Sequence, residues 1–153
     1  MSDVFISYSS QDERFAQFLH RHLTAEGLSV FMASVSLKPG EGWSQAILQN
    51  LRNANLVFFL ASRAACRSPY VQQEMGAAVI AQKKLIPVVW DMPPSELPGW
   101  TKEFQALNIA GASVEQIQNH LSSIAGQIKN EKFWGGVFAA LLVGGLIFAA
   151  KGK

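Results

Sequence analysis

The side chains of this sequence that could form covalent or metal bonds are few and scattered. Arg67 could lower the thiol pKa of the single cysteine, Cys66, but no Cys–His pairing suggests a nucleophile. His20 and His22 lie two residues apart on a predicted helix and therefore on different faces, and His120 belongs to another helix. We therefore predict no cysteine catalysis, no internal disulfide and no metal site.

One carboxylate, Glu74, lies early in a predicted helix. Ser68 is a suitable N-cap for that helix, and Pro69 suits its first position. The simplest interpretation of Glu74 is a solvated side chain that the helix dipole favours. A catalytic role is the alternative, and spacing alone does not decide between them.

The first 128 residues, as one domain, alternate between apolar runs and helical patterns. This alternation predicts an α/β fold, with a doubly wound sheet of about five parallel strands. Gly27 is expected to end the first helix. The predicted strands are residues 4–8, 28–32, 56–60, 85–90 and 106–109, and the predicted helices are residues 12–26, 43–54, 69–82 and 114–128.

The loops that follow the first three strands should line any ligand site. In an open parallel sheet, ligands bind at the carboxyl ends of the strands, beside the point where strand order reverses. The relevant segments are Tyr8 to Ser10, Leu37 to Trp43 and Ser62 to Glu74.

Five segments, in register along the chain, resemble the Toll/interleukin-1 receptor (TIR) domain family. The first, DVFISYSSQD at 3–12, is similar to the opening motif of that family, and SPYVQQEMGAA at 68–78 resembles the S-x-W-x-x-x-E helix of its bacterial, NAD-cleaving branch. The other three are LSVFMASVSLKPGEGW (28–43), NLVFFLAS (55–62) and LIPVVWD (85–91). The resemblance implies the flavodoxin-like TIR fold.

Cleavage of the nicotinamide–ribose bond of NAD is the chemistry that this resemblance implies, with Glu74 as the catalytic residue. A carboxylate can stabilise the oxocarbenium-like ribose, and nicotinamide leaves as a neutral ring, so no general acid is needed. NAD is then the substrate, and no cofactor is expected. The resemblance also implies that substrate-binding residues line this site: Tyr8, Ser9, Leu37, Trp43 and Tyr70.

Some positions depart from the family pattern or have a second interpretation. Trp43 could stack on the nicotinamide, but its spacing to Ile47 and Leu51 fits core packing equally well. Ser9 replaces a common arginine, and Ala33 replaces a frequent acidic residue. These departures could weaken substrate contacts or alter the product while leaving Glu74 in place.

The C-terminal stretch, residues 133–150, is eighteen residues long and carries no charge. As a helix it would be roughly 27 Å long, which suits a membrane span. A core or partner-facing helix is the alternative, although a core helix usually has a polar stripe. We predict a linker at 129–132, a transmembrane helix at 133–150 and a basic tail at 151–153. The small residues Gly136, Ala140 and Gly144 could support helix association.

Charge is unevenly distributed between these regions. Residues 1–128 hold nine Lys/Arg against ten Asp/Glu, whereas residues 129–153 hold four lysines and one glutamate. We therefore expect lipid contact at the tail and no nucleic-acid partner. MSDVFISYSS at the start of the sequence has no export signal, so we expect a single-pass protein of the inner (cell) membrane with its TIR domain in the cytoplasm.

Three functional hypotheses follow from these features. The first is a membrane-anchored NAD hydrolase or cyclase that is active when TIR domains self-associate, in bacterial anti-phage defence. The second is a non-catalytic TIR adaptor that docks other TIR domains. The third is an effector whose assembled tails disrupt the membrane.

Overall fold

The computed structural model describes residues 3–34, 45–67, 84–99, 104, 106–129 and 147–149. Four of the predicted site residues, Leu37, Trp43, Tyr70 and Glu74, and the predicted helix at 69–82 lie outside this part of the chain. The described strands are β1 Val4–Tyr8, β2 Val30–Ser34, β3 Leu56–Leu60, β4 Lys84–Val89, β5 Ala106–Asn108 and β6 Ile147–Ala149. The described helices are α1 Glu13–Ala25, α2 Gln45–Asn53, α3 Arg63–Cys66 and α4 Val114–Lys129.

The sheet has the order β2-β1-β3-β4-β5-β6, and its first five strands are parallel. This confirms the predicted parallel sheet of five strands. Strands β1 and β3 match the predicted bounds, while β2 begins two residues later than predicted, at Val30. The chain leaves β1 toward one side for β2 and returns to the other side for β3, so strand order reverses between β1 and β3.

Helices cover both faces of the sheet. On one face, α1 and α4 pack on alternate strand residues, with Leu19 and Leu121 among the fully buried contacts. On the other face, Leu51 of α2 and Ala65 of α3 belong to a second apolar cluster. The runs VFISY and LVFFL are buried along their whole length, because a central parallel strand is covered on both sides.

Gly27 ends α1 as the sequence predicts. Its φ of 93° lies in the left-handed region, which glycine adopts without steric cost. The amide of Gly27 donates to the carbonyl of Thr24 at 2.9 Å, and that bond satisfies a carbonyl at the helix end. The chain then turns directly into β2.

The C-terminal stretch differs from the predicted transmembrane helix over the three residues that the structure describes. Ile147–Ala149 form β6, which pairs antiparallel with β5. Isoleucine and phenylalanine favour extended structure, and β5 offers an open edge for backbone hydrogen bonds. The rest of the predicted span, and the predicted basic tail at 151–153, lie outside the described ranges. None of the described helices combines the length and apolarity needed to cross a membrane.

Candidate active site

Tyr8 and Ser9 lie at the carboxyl end of β1, where strand order reverses. Both are 7% exposed. Tyr8 belongs to the core cluster under α1 and α4, and burial, with Glu13 nearby, raises the pKa of its phenol. Ser9 accepts a hydrogen bond from the amide of Gln11 at 3.4 Å and so caps the short turn that leads to α1. Both side chains are thus held in place, and their predicted contact with substrate stays a prediction.

Asp12 and Ser62 connect the end of β1 with the end of β3. Ser62 Oγ donates a hydrogen bond to Asp12 Oδ2 at 2.5 Å, although fifty residues separate the two. Ser62 Oγ also accepts from the amide of Ala65 at 3.1 Å and thereby caps α3. The net effect is a raised pKa of the Asp12 carboxyl: burial raises it most, the Ser62 hydrogen bond lowers it, and the charge of Asp91 raises it. A partly buried carboxyl therefore ends the short turn that follows Ser9.

Asp91, which follows β4, holds the start of α3 from the opposite side. Its two carboxylate oxygens accept from the amide of Arg63 at 3.1 and 3.2 Å. The Arg63 side chain also bonds to the loop after β4. Its Nε donates to the Asp91 carbonyl at 3.0 Å, and its Nη1 lies 3.3 Å from Glu96 Oε1. The loops after β1, β3 and β4 are therefore joined by side chains at one edge.

Cys66 lies at the end of α3 in this acidic setting. Burial, with the negative charge of Asp91, raises the pKa of its thiol to about 12. A thiol with that pKa is protonated at neutral pH, so Cys66 is unsuited to nucleophilic attack. Within the described ranges, no three His, Cys, Asp or Glu side chains converge as metal ligands.

An apolar groove of about 330 Å³ lies farther along the same edge of the sheet. It is lined by Phe15, Trp90, Ile109 and Ile117. Phe15 and Trp90 meet edge to face, with ring centroids 5.0 Å apart. This lining suits apolar contacts more than the charged groups of a dinucleotide.

The sequence profile of the TIR domain family matches residues 4–122. This chain belongs to the TIR domain family. It is 29% identical over 97 residues to a Brachypodium distachyon protein named probable 2' cyclic ADP-D-ribose synthase BdTIR. The match covers 62% of this chain and 43% of that protein, so the TIR chain spans less than half the length of this relative.

Two solved structures show the same fold. The TIR domain of the Toll-related receptor TRR-2 from Hydra magnipapillata has a TM-score of 0.58 at 17% identity, with 92% of this chain and 98% of that chain covered. The RPS4 and RRS1 TIR domain heterodimer has a TM-score of 0.58 at 12% identity, with 85% and 97% covered. These likenesses establish the TIR fold of the chain.

Sequence reasoning placed Ser62 in a loop expected to line the site, but it missed Asp12 and Asp91, which bond to the start of α3 from the neighbouring loops. Each of these residues is the last one of a segment that resembles the family: Asp12 of DVFISYSSQD, Ser62 of NLVFFLAS and Asp91 of LIPVVWD. Each is a polar residue that comes shortly after an apolar strand. The rule that places the carboxyl ends of parallel strands at one edge, extended to β4 and to the end of the first motif, could have added Asp91 and Asp12. Nothing in the spacing indicates which of them pair.

Proposed function

We propose that this TIR domain cleaves the nicotinamide–ribose bond of NAD, with Glu74 as the catalytic carboxylate. The observation that carries the proposal is the similarity to a TIR protein that is named a probable 2' cyclic ADP-D-ribose synthase. The arrangement of the described edge supports it. The loops after β1, β3 and β4 are joined at the carboxyl ends of the strands, where a doubly wound sheet binds its ligand.

The proposed reaction needs one well-placed negative charge. The bond between the ribose anomeric carbon and nitrogen breaks, its electron pair stays on nicotinamide, and positive charge develops on the ribose. The Glu74 carboxylate stabilises that charge. A nucleophile then bonds to the same carbon and releases a proton: water gives ADP-ribose, whereas a group within the ADP-ribose moiety gives a cyclic product. The relative's name favours cyclisation.

The test is nicotinamide release from NAD by the full chain in lipid vesicles, followed by chromatography and mass spectrometry. We expect Glu74→Ala to reduce release by about a hundredfold or more, since it removes the charge that faces the transition state. Glu115→Ala is a matched control, because Glu115 is an exposed glutamate in the first turn of α4. Wild-type protein that releases nothing at high surface density would favour the adaptor hypothesis.

We also propose that activity requires self-association of TIR domains. The chain is similar in fold to TIR domains that form a heterodimer. Specific activity should then rise with protein concentration, because a site that two copies complete is populated by mass action. Specific activity that stays constant over a hundredfold dilution series would contradict this part of the proposal.

Membrane anchoring and a defence role complete the proposal, and both rest on sequence. We propose that the apolar stretch at 133–150 attaches the protein to a bacterial inner membrane, which requires Ile147–Ala149 to leave β5, and that clustering during phage infection starts NAD cleavage. Vesicle flotation of the full chain against a chain ending at Lys132 tests the anchor. Loss of phage protection in the Glu74→Ala variant, but not in Glu115→Ala, tests the role.

A further inference from the structure

The hydrogen bond between Asp12 and Ser62 is the described side-chain contact that joins the loop after β1 to the start of α3. Ser62 is 1% exposed, and its 2.5 Å bond to Asp12 has the length of a charge-assisted hydroxyl–carboxylate bond. Asp12 is itself fixed, since its amide donates to the carbonyl of Ser9 at 2.8 Å. A displacement of either loop would break or stretch this bond.

The same serine hydroxyl orders α3. It accepts from the amide of Ala65, while the Ser62 carbonyl accepts from the amide of Cys66 at 2.9 Å. Asp91 accepts from the amide of Arg63 on the side of β4. The first turn of α3 is therefore fixed from two strands at once.

We propose that Asp12 and Ser62 are positioning residues of the active site. Their hydrogen bond holds the start of α3 in register with the loop that carries Tyr8 and Ser9. This inference rests on the proposed NAD cleavage, and it adds two residues that act without touching the reacting atoms. Tyr8 and Ser9 lie within four residues of Asp12, so loss of the bond loosens the loop that carries these predicted substrate-binding residues. Misplacement of the bound substrate by about 1 Å can cost a hundredfold in rate.

The competing explanation is a purely structural one, in which Ser62 is an ordinary helix cap. Ser113 supplies the matched control, since its hydroxyl accepts from the amide of Gln116 at 3.1 Å and caps α4. Ser113→Ala removes a cap of the same type on another helix. It should lower stability by less than Ser62→Ala, which also removes the bond to Asp12, while nicotinamide release stays within about twofold of wild type.

Three variants test the pair: Asp12→Asn, Ser62→Ala and the double variant. Asparagine keeps an acceptor for the hydroxyl and removes the charge. We expect kcat to fall by about tenfold in Asp12→Asn and by up to about a hundredfold in Ser62→Ala, with KM changed far less. The double variant should be no slower than Ser62→Ala, since residues in one interaction are not additive.

Hydrogen exchange supplies a readout that does not depend on catalysis. Asp12→Asn should accelerate exchange of the Ala65 and Cys66 amides, far along the chain from the substitution, whereas Ser113→Ala should leave them unchanged. Additive losses of kcat, or single variants within twofold of an active wild type, would overturn the positioning role while NAD cleavage stands. A wild type that leaves NAD intact would overturn the proposed function and this role together.

Discussion

Polar side chains join distant segments at both ends of the parallel strands. We call the side where the strands end the carboxyl edge and the side where they begin the amino edge. The two differ in their exposure to water. At the carboxyl edge, Ser62 is 1% exposed and bonds Asp12 at 2.5 Å. At the amino edge, the C-terminal ends of α1 and α4 are joined by His22, Glu26, Ser122 and Lys129. The side chains of His22, Glu26 and Lys129 are 19%, 29% and 47% exposed.

The amino-edge network has a defined direction. Ser122 Oγ donates to Glu26 Oε2 at 2.8 Å, so His22 Nε2, 3.0 Å from that hydroxyl, must be the donor of the second bond. Lys129 Nζ donates to the Glu26 carbonyl at 2.8 Å. Water can replace any of these partners, whereas it has little access to Ser62. We therefore expect the carboxyl edge to govern reactivity and the amino edge to add modest stability.

The largest expected effect concerns Cys66 at the carboxyl edge. Its thiol pKa of about 12 leaves very little thiolate at pH 8, so alkylation by iodoacetamide should be about a thousandfold slower than in the urea-unfolded chain. Mass spectrometry of the modified peptide measures both rates.

Asp91→Asn sharpens this result. The negative charge of Asp91 is the second cause of the raised pKa of Cys66, after burial, so its removal should accelerate alkylation. Folding must be retained, as judged by circular dichroism. Equal alkylation rates in the folded and unfolded wild type would show that the carboxyl edge is open to water, and the comparison of edges would fail.

Ser122→Ala is the corresponding change at the amino edge. It removes the hydroxyl that links His22 to Glu26, and we expect a loss of about 1 kcal/mol in the free energy of unfolding, as for a single hydrogen bond. Nicotinamide release should be unchanged. Ser123→Ala is the control, because it makes the same substitution one position along α4.

Denaturant unfolding of Ser122→Ala and Ser123→Ala, at matched temperature, gives the difference directly. A Ser122→Ala variant with normal stability but impaired activity would reverse the roles that we assign to the two edges. That result would mean that the contact between α1 and α4 takes part in function.

The fold was largely predictable because it depends on burial patterns. VFISY and LVFFL are buried on both faces, and such continuous apolar runs identify central strands without any knowledge of partners. The bounds of β2 were shifted by two residues, since Leu28 is apolar and buried but precedes the strand. Over Ile147–Ala149, apolarity predicted a helix, and hydropathy carries no information about an open strand edge at β5.

The candidate site was less predictable because it depends on pairing. The motifs correctly placed Ser9 at the carboxyl edge of the sheet. The profile match confirms the family. Asp12 and Ser62 meet through a contact across fifty residues, and a single sequence does not specify which polar residues at an edge bond each other. The roles of Glu74, Tyr70, Trp43 and Leu37 stay predictions, to be tested by substitution.

A pH-dependent effect follows from His120, which is 1% exposed on α4. Burial lowers the pKa of its imidazole below 6.5, so the unfolded chain binds a proton more readily than the folded chain does. Its contribution to stability is therefore intact above about pH 6.5 and is lost progressively as the pH falls below that value. Urea unfolding at pH 7.5 and 5.5 should show this loss, and His120→Gln should diminish it. An unchanged pH dependence in that variant would assign the effect to other groups.

The smallest effect is expected for Lys129, the most exposed member of the amino-edge network. Lys129→Gln removes the charge that lies 3.7 Å from Glu26 Oε1 and retains a donor for the Glu26 carbonyl. An exposed ion pair contributes about 0.2–1 kcal/mol, and salt screens it, so the difference in the free energy of unfolding should nearly vanish in 0.5 M NaCl. A cost well above that range, insensitive to salt and dependent on protein concentration, would mean that another copy covers the amino edge. In that case a second copy would bury the amino edge, and the two edges would differ in what covers them as well as in burial. Dilution of the TIR domain would then expose Lys129 and reduce the loss in the free energy of unfolding to that of a surface ion pair.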